Sequence, residues 1–508
     1  MHKSTKEITE LILTAAKETH KEPDKKDDLA FTKPVNWPVE CLVGPGLEGA
    51  IACESKIGYV NGQKGSLVYR GYDIFDLCAY STFEEVSYLL LFGELPSPRE
   101  LANFKKKLIS YRNIPQTVRS LMNFPVEKMN AMAALRLGTN LMRLEFTYVD
   151  RDEYKPDSAS FINLDEDSIP METVPKGESH AIYEFKKGAR QQKSNKLSLN
   201  LHSPAGQESC YQLISGVASL VATISRLRHN KLPISPDPAL SHAANLLYMI
   251  TGRRPAPLEE RIMDVCLILH ADHGMNASTF ATMVVASTLS DIYFAVGSGI
   301  AALNGPLHGG ANEEVLNMLG EIGAAENVKL WYEKAREKKR KIMGFGHRVY
   351  KAYDPRARIL GPLAEYLVKN KKDSRISSLF STAKTLEKAV VETLGEKKKI
   401  FPNVDFYSGI VYSCSGIASE LFTPVFAASR VSGWGARVLE YLENNRIFRP
   451  RAVYIGPFGR KYAALRKRSS KKKPLNKKNI NHKPFLNRGV RNGSSRKRAN
   501  PVRTPYAD

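Results

Sequence analysis

Apolar residues recur every three to four positions over long stretches of this chain, the spacing of a helix with one buried face. Phe83–Phe92, Ala131–Phe146, Leu213–Leu227, Glu259–Leu269 and Ala311–Leu319 all carry it, with Pro or Gly near their ends as punctuation. An amphipathic helix is also expected over Ser4–Lys21, where Ile8, Leu11, Ile12 and Ala15 fall at helical spacing and Ser4 with Glu7 fits a capping box. A charged linker, His20–Lys33, follows it. The clear β signal is confined to Lys56–Tyr69. There Tyr59-Val60 and Leu67-Val68-Tyr69 flank Asn61-Gly62-Gln63-Lys64-Gly65, which predicts a small hairpin. The pattern as a whole predicts a mainly α protein with one β-hairpin near its N-terminus.

Two regions break the periodicity. Between Val149 and about Gln207, Asp, Glu, Ser, Lys and Pro dominate, as in a surface insertion or disordered loop. From Arg460 to Asp508 the chain holds 17 Lys or Arg against a single acidic residue, so most of the net charge of +23 belongs to a tail. Runs such as Arg466-Lys467-Arg468 and Lys471-Lys472-Lys473 have too few apolar neighbours to fold alone. The expected tail is solvated, with weak, salt-dependent attraction for nucleic acid or another polyanion.

Composition narrows the class. A chain of 508 residues with 43% hydrophobic content supports a large core, one big domain plus a smaller one. No secretory apolar run opens it, and Glu7, Glu10, Glu18, Glu22, Asp24, Asp27 and Asp28 argue against an acid-poor transit peptide. The expectation is a cytoplasmic protein. Ser278–Asn304 is long and nearly uncharged, but Asp291 near its middle and many Ser, Thr, Ala and Gly residues suit a core or interface helix better than a membrane span. Six cysteines lie far apart with no CxxC pair, so free buried thiols are expected, neither disulfides nor zinc.

The candidate chemistry sits in four short segments of the second half: His270-Ala271-Asp272-His273-Gly274, Gly305-Pro306-Leu307-His308-Gly309-Gly310, Gly344-Phe345-Gly346-His347-Arg348 and Pro402-Asn403-Val404-Asp405. Histidines flanked by glycine together with one Asp make an acid/base set, since imidazole titrates near neutrality. His308 precedes a helix expected to begin near Ala311, whose positive end would keep the imidazole neutral. Taken alone, Asp405 in its Asn-Val-Asp turn is more often a helix cap than a base. Arg356, Arg430 and Arg449 suit the paired hydrogen bonds of a carboxylate. Together they point to carbon chemistry on a small, highly charged acid.

The order and spacing of ADHGMNAST, GPLHGGANEEV, IMGFGHRVYKAYDPRA, PNVDFYSGIVY and RIFRPRAVYIGP resemble the citrate synthase family from about Gly46 to about Phe458. The resemblance implies a two-domain helical fold: an N-terminal helix and linker over 1–35, a large domain over 36–310 that carries the insertion at about 150–207, a small domain over 311–414, a return to the large domain over 415–458, and the tail over 459–508. It implies condensation of acetyl-CoA with oxaloacetate and water to citrate and CoA, entry to the tricarboxylic acid cycle, with His308, His347 and Asp405 catalytic. His273, His347, Arg356, Arg430 and Arg449 would bind oxaloacetate, Arg449 by reaching into the partner's site of a homodimer. Acetyl-CoA enters as substrate, and neither a permanently bound cofactor nor a metal is implied. His270 and His273 stand at metal-pair spacing, but nearby arginines would repel a divalent cation. Arg348 and Arg358 are read as structural or phosphate-facing. Two alternatives stay open: a 2-methylcitrate synthase using propionyl-CoA, and a non-catalytic relative binding nucleic acid through its tail. The connection over 149–207 is much longer than the family's usual one.

Overall fold

The computed structural model describes residues 3–20, 32–147, 204–371, 373–458, 462 and 464. The insertion up to residue 203, most of the charged linker and nearly all of the basic tail therefore lie outside the described residues, and so does the side chain of Ser4; the last residues assigned to the insertion, 204–207, open a helix. Residues up to Arg449 form one compact unit, and those from Pro450 onward a second.

Helices dominate the first unit. In order they are α1 (Lys3–His20), α2 (Ile74–Tyr80), α3 (Phe83–Phe92), α4 (Pro98–Ser110), α5 (Pro115–Met122), α6 (Ala131–Thr147), α7 (Pro204–Arg228), α8 (His242–Thr251) and α9 (Pro257–His270). There follow α10 (Ala277–Ser287), α11 (Ile292–Leu303), α12 (Ala311–Ile322), α13 (Val328–Glu337), α14 (Pro355–Lys371), α15 (Ser374–Val390), α16 (Val404–Cys414) and α17 (Phe422–Leu442). The ends are written in the sequence. Ser97 accepts from the Glu100 N–H while Glu100 reaches back to the Ser97 backbone, with Pro98 at the first helical position. Thr82 caps α3, and Gly93 closes it in the left-handed region at φ 94°. α1 buries Ile8, Ile12 and Ala15 against α2, α9 and α14, so its apolar stripe is a packing face.

The hairpin forms as expected and gains a strand. β1 (Gly58–Asn61) pairs antiparallel with β2 (Ser66–Tyr69), with Gly58 opposite Tyr69 and Asn61 opposite Ser66. A third strand, β3 (Tyr72–Asp73), adds to β2; two residues are too short to carry a period. The Asn61 carboxamide oxygen accepts the Gln63 and Lys64 N–H groups and closes the turn.

The apolar stretch Ser278–Asn304 is two helices, not one. Asp291 ends it as a span by capping α11, its carboxylate accepting the Tyr293 N–H at 2.8 Å. Among the described residues one helix, Gly206–Arg228, is long and apolar enough to cross a membrane. It is mostly buried, with α6, α8 and α17 packed on it, as a core helix is. At the centre lies α17, where every residue from Phe422 to Leu439 is buried. Four cysteines are buried free thiols; Cys53 is half-buried, and Cys41 is exposed, against expectation, because it lies in the extended segment before β1, which packs little.

The described residues from Pro450 onward hold neither helix nor strand. The Tyr454 ring meets Phe458 edge-on at 4.8 Å, and Val453, Ile455 and Phe458 are exposed.

Candidate active site

Two loops form a single scaffold for His347 and Asp405. Phe345 and Pro402 form an isolated antiparallel bridge. Gly346 N–H donates to the Phe401 carbonyl at 2.8 Å, Asn403 N–H to the Gly344 carbonyl at 2.9 Å, and Asn403 Nδ2 to the Gly346 carbonyl at 3.0 Å. Gly344 is required here: its φ is 78°, and a Cβ would lie 2.7 Å from Val315 and 2.8 Å from Phe406.

Within that scaffold His347 has a defined tautomer. Its Nδ1 accepts the N–H of Val349 at 3.0 Å and of Tyr350 at 3.2 Å. Backbone N–H groups can only donate, so Nδ1 holds a lone pair and a neutral ring carries its proton on Nε2. Neutrality is assured because burial pushes the imidazole down to about 4, with Arg356 adding to the effect.

His308 is fixed by the same logic with the nitrogens exchanged. Its Nε2 accepts the Ser278 N–H at 3.3 Å and lies 2.8 Å from Ser278 Oγ, which leaves the proton on Nδ1. Burial, followed by the charge of Arg430, lowers its pKa to about 4. The helix end that meets its ring differs from the one expected. It is the first turn of α10, capped by Asn276, which supplies the N–H, whereas the helix after His308, α12, begins without a side-chain cap.

Asp405 is not the cap of its helix. Asn403 caps α16, accepting the Asp405 N–H at 3.0 Å. The Asp405 carboxylate is thereby released, and its buried Oδ1 has no hydrogen-bond partner. Desolvation raises this carboxyl to about 7, against the pull of Arg356 and Arg430. A carboxylate poised near neutrality in a dry setting is the profile of a general base.

The remaining expected residues divide. His273 is buried, with Nε2 3.2 Å from Tyr350 Oη and its ring 5.2 Å from that of His347, so the two imidazoles are direct neighbours. Burial and the positive charge of Arg356 keep it neutral. Arg356 is buried and holds Asp354 through two parallel bonds, Nε to Oδ1 at 3.0 Å and Nη2 to Oδ2 at 2.8 Å, leaving Nη1 as its open face. Arg430 is buried too, with Nε donating to the His270 carbonyl at 2.5 Å and the guanidinium 4.7 Å over the Phe426 ring. Among the described residues no carboxylate lies within ion-pair distance of it, and desolvation lowers it to about 10. Arg449 is exposed and stands apart from this cluster in the single chain. Arg348 pairs with Glu48 at 3.3 Å on the surface, and Arg358 stacks on Tyr353 at 4.6 Å.

Several contributors were not singled out in the sequence. Asp354 orients Arg356, and its Oδ2 also accepts the Val404 N–H at 3.3 Å. Asp272 and Arg437 form a buried two-point ion pair, both contacts at 2.7 Å, and the Tyr69 hydroxyl donates to the Asp272 carbonyl at 2.8 Å. The hairpin thus buttresses the loop carrying His273. α17 approaches that loop closely enough that a Cβ at Gly433 would meet the Ala271 carbonyl at 2.2 Å. Asp354 had a local signal, an Asp before the Pro-Arg that opens a helix. Asp272 had half of one, lying inside ADHG, and its partner lies 165 residues away. His270 does not join His273 as a ligand pair: its Nδ1 faces the Cys266 carbonyl at 2.9 Å and Tyr412 at 3.2 Å.

Comparison with known proteins bears on what this arrangement serves. The family model for the citrate synthase C-terminal domain matches residues 46–451. The chain belongs to the citrate synthase family. Similar proteins include the citrate synthase of Deinococcus radiodurans, 38% identical over 84% of this chain and 99% of that one. Among solved structures, citrate synthase from Pyrobaculum aerophilum is 39% identical with a TM-score of 0.70, covering 86% of this chain and 99% of its own. Citrate synthase from Thermoplasma acidophilum, solved as a ternary complex with carboxymethyl coenzyme A and oxaloacetate, is 31% identical with a TM-score of 0.70 over 84% of this chain and all of that one. The family-model match begins after α1 and ends before the basic tail.

Proposed function

We propose that His308, His347 and Asp405 carry out the citrate synthase reaction of this chain, the condensation of acetyl-CoA with oxaloacetate. The observation that carries the assignment is a contrast within the candidate set: a carboxylate with an unpartnered buried oxygen, and two imidazoles whose protons are fixed on opposite nitrogens. Asp405 takes a methyl proton from the thioester, and His308 Nδ1–H donates to the developing enol oxygen. The new carbon nucleophile attacks the ketone carbon of oxaloacetate, whose oxygen is polarised by His347 Nε2–H. Water then cleaves the citryl thioester to citrate and CoA. No step requires a protonated imidazole, which suits the depressed histidines.

Oxaloacetate brings two carboxylates into a buried space, and Arg430 and the open face of Arg356 compensate them. His273 completes that pocket. Arg449, exposed in one chain, serves the partner's site in a cytoplasmic homodimer, and the segment 311–414 closes over the cleft as a smaller domain to exclude water before carbon–carbon bond formation. Acetyl-CoA is a substrate that comes and goes, with no permanently bound cofactor.

The test is steady-state turnover with oxaloacetate and either acetyl-CoA or propionyl-CoA, followed as release of the CoA thiol. Preferred turnover of acetyl-CoA is expected. Preference for propionyl-CoA would reassign the chain to 2-methylcitrate synthesis, a distinction of one methylene that pocket shape decides. For the shared site, inactive Arg449→Ala mixed with inactive Asp405→Asn should recover activity; verified mixed dimers without it would refute the role of Arg449.

A further inference from the structure

Glu387 on α15 lies outside every motif discussed so far, and none of the proposed chemistry uses it. Its carboxylate is largely buried, with the side chain 12% exposed. One oxygen, Oε1, accepts the Tyr353 hydroxyl, and the other, Oε2, accepts the Tyr407 hydroxyl. Lys384 Nζ approaches Oε2 at 2.8 Å and neutralises the charge. Burial, reinforced by the Glu387 charge, pushes both phenols far above their ordinary range, so both remain donors at any working pH.

The two tyrosines belong to the two segments that must cooperate. Tyr353 immediately precedes Asp354, which holds Arg356 by two bonds. Tyr407 follows Asp405 by two residues on α16 and is fully buried. Its ring rests against α14, where a Cβ at Gly361 would lie 3.2 Å from Cε2. Below them a second tie joins the same segments, the Val404 N–H to Asp354 Oδ2. Glu387 therefore sits across a joint with the oxaloacetate-binding arginine on one side and the base on the other.

We propose that Glu387 is a positioning residue for the condensation, bridging Tyr353 and Tyr407 so that the segment carrying Arg356 is held at a fixed separation from the helix carrying Asp405. The inference rests on the roles given above to Arg356 and Asp405. Carbon–carbon bond formation is sensitive to sub-ångström placement of the two partners. Neither substrate need touch Glu387. Loss of the bridge therefore lowers kcat while the contacts that bind each substrate persist.

The experiment is steady-state kinetics on full-length Glu387→Gln, Tyr353→Phe, Tyr407→Phe and the double variant Glu387→Gln/Tyr407→Phe, with Asp405→Asn alongside. Each single variant is expected to lose about 10-fold in kcat with both KM values within about twofold. The double variant should lose no more than either single, because all three remove one bridge. The two Phe variants delete only a hydroxyl and decide the question if Glu387→Gln does not fold. A kcat within twofold of the parent in both Phe variants overturns the proposal, as does a multiplicative loss in the double variant or a loss confined to KM. Substantial turnover by folded Asp405→Asn would instead sink the reading of the site itself.

Discussion

Arg430 and Arg437 lie seven residues apart on α17, both buried, and the chain uses them in opposite ways. Arg437 gives Nε and Nη2 to the two oxygens of Asp272 and reaches Ser55 Oγ with Nη1 at 3.1 Å. Arg430 has a carbonyl and an aromatic face but no carboxylate in ion-pair range among the described residues. The carboxylates repeat the contrast. Asp272 is saturated, and the charge of Arg437 holds its carboxyl below the usual range despite burial, whereas Asp405 has an unpartnered oxygen and sits near 7. A closed pair is architecture, since its charges cancel within the fold. An open group carries an uncompensated desolvation cost that a ligand or a proton can relieve.

The contrast breaks most visibly at the closed pair. Arg437→Met strands Asp272 in the core and is expected to cost about 3–5 kcal/mol in urea unfolding. A loss below about 1 kcal/mol would mean that the pair is not architectural. Next comes Asp405→Asn, expected to lower kcat by roughly 100-fold or more. The same change should stabilise the protein at pH 8, by about 2–4 °C in Tm. The sign follows from the raised carboxyl: between the ordinary Asp range and about 7 the unfolded chain ionises while the folded one resists. The gain is therefore full above pH 7 and vanishes by about pH 4, near the unperturbed Asp value; a pH-independent Tm difference would contradict it.

Arg430→Met probes an open arginine. It should raise the KM for oxaloacetate about 10-fold or more and leave that for acetyl-CoA nearly unchanged, at little cost in stability. Destabilisation as large as that of Arg437→Met would erase the distinction between the two arginines. The smallest effect belongs to the tail. Deleting Arg460–Asp508, which carries 17 basic residues and lies beyond the family match, should leave turnover and Tm almost unaltered while removing low-salt retention on heparin. A marked fall in kcat would show that the tail reaches the site.

Legibility in the sequence followed range. Helix α3 is written completely in its own residues, from the Thr82 cap to Gly93, and the four histidine and aspartate motifs are equally local. β3 is too short to show a period, and it exists because β2 offers an edge. Asp272 with Arg437, and Glu387 with its two tyrosines, are distant in sequence, so only the folded packing reveals them. Asp405 shows a subtler limit: its release depends on Asn403 taking the cap, a competition between neighbours that residue types alone leave undecided. The histidine tautomers likewise depend on which backbone N–H each ring meets.

The hydrogen bonds that zip 344–346 to 401–403 have a mechanical meaning. His347 and Asp405 ride on one framework, so neither can be drawn away from the other without tearing that ladder. Arg430 on α17 and His308, moored to Ser278 on α10, hang from other elements. On the proposed reading, admission and discharge of substrates leave intact the relation between the group that takes a proton and the group that polarises the ketone. The closure proposed above would then have a single register to restore, between two preassembled halves.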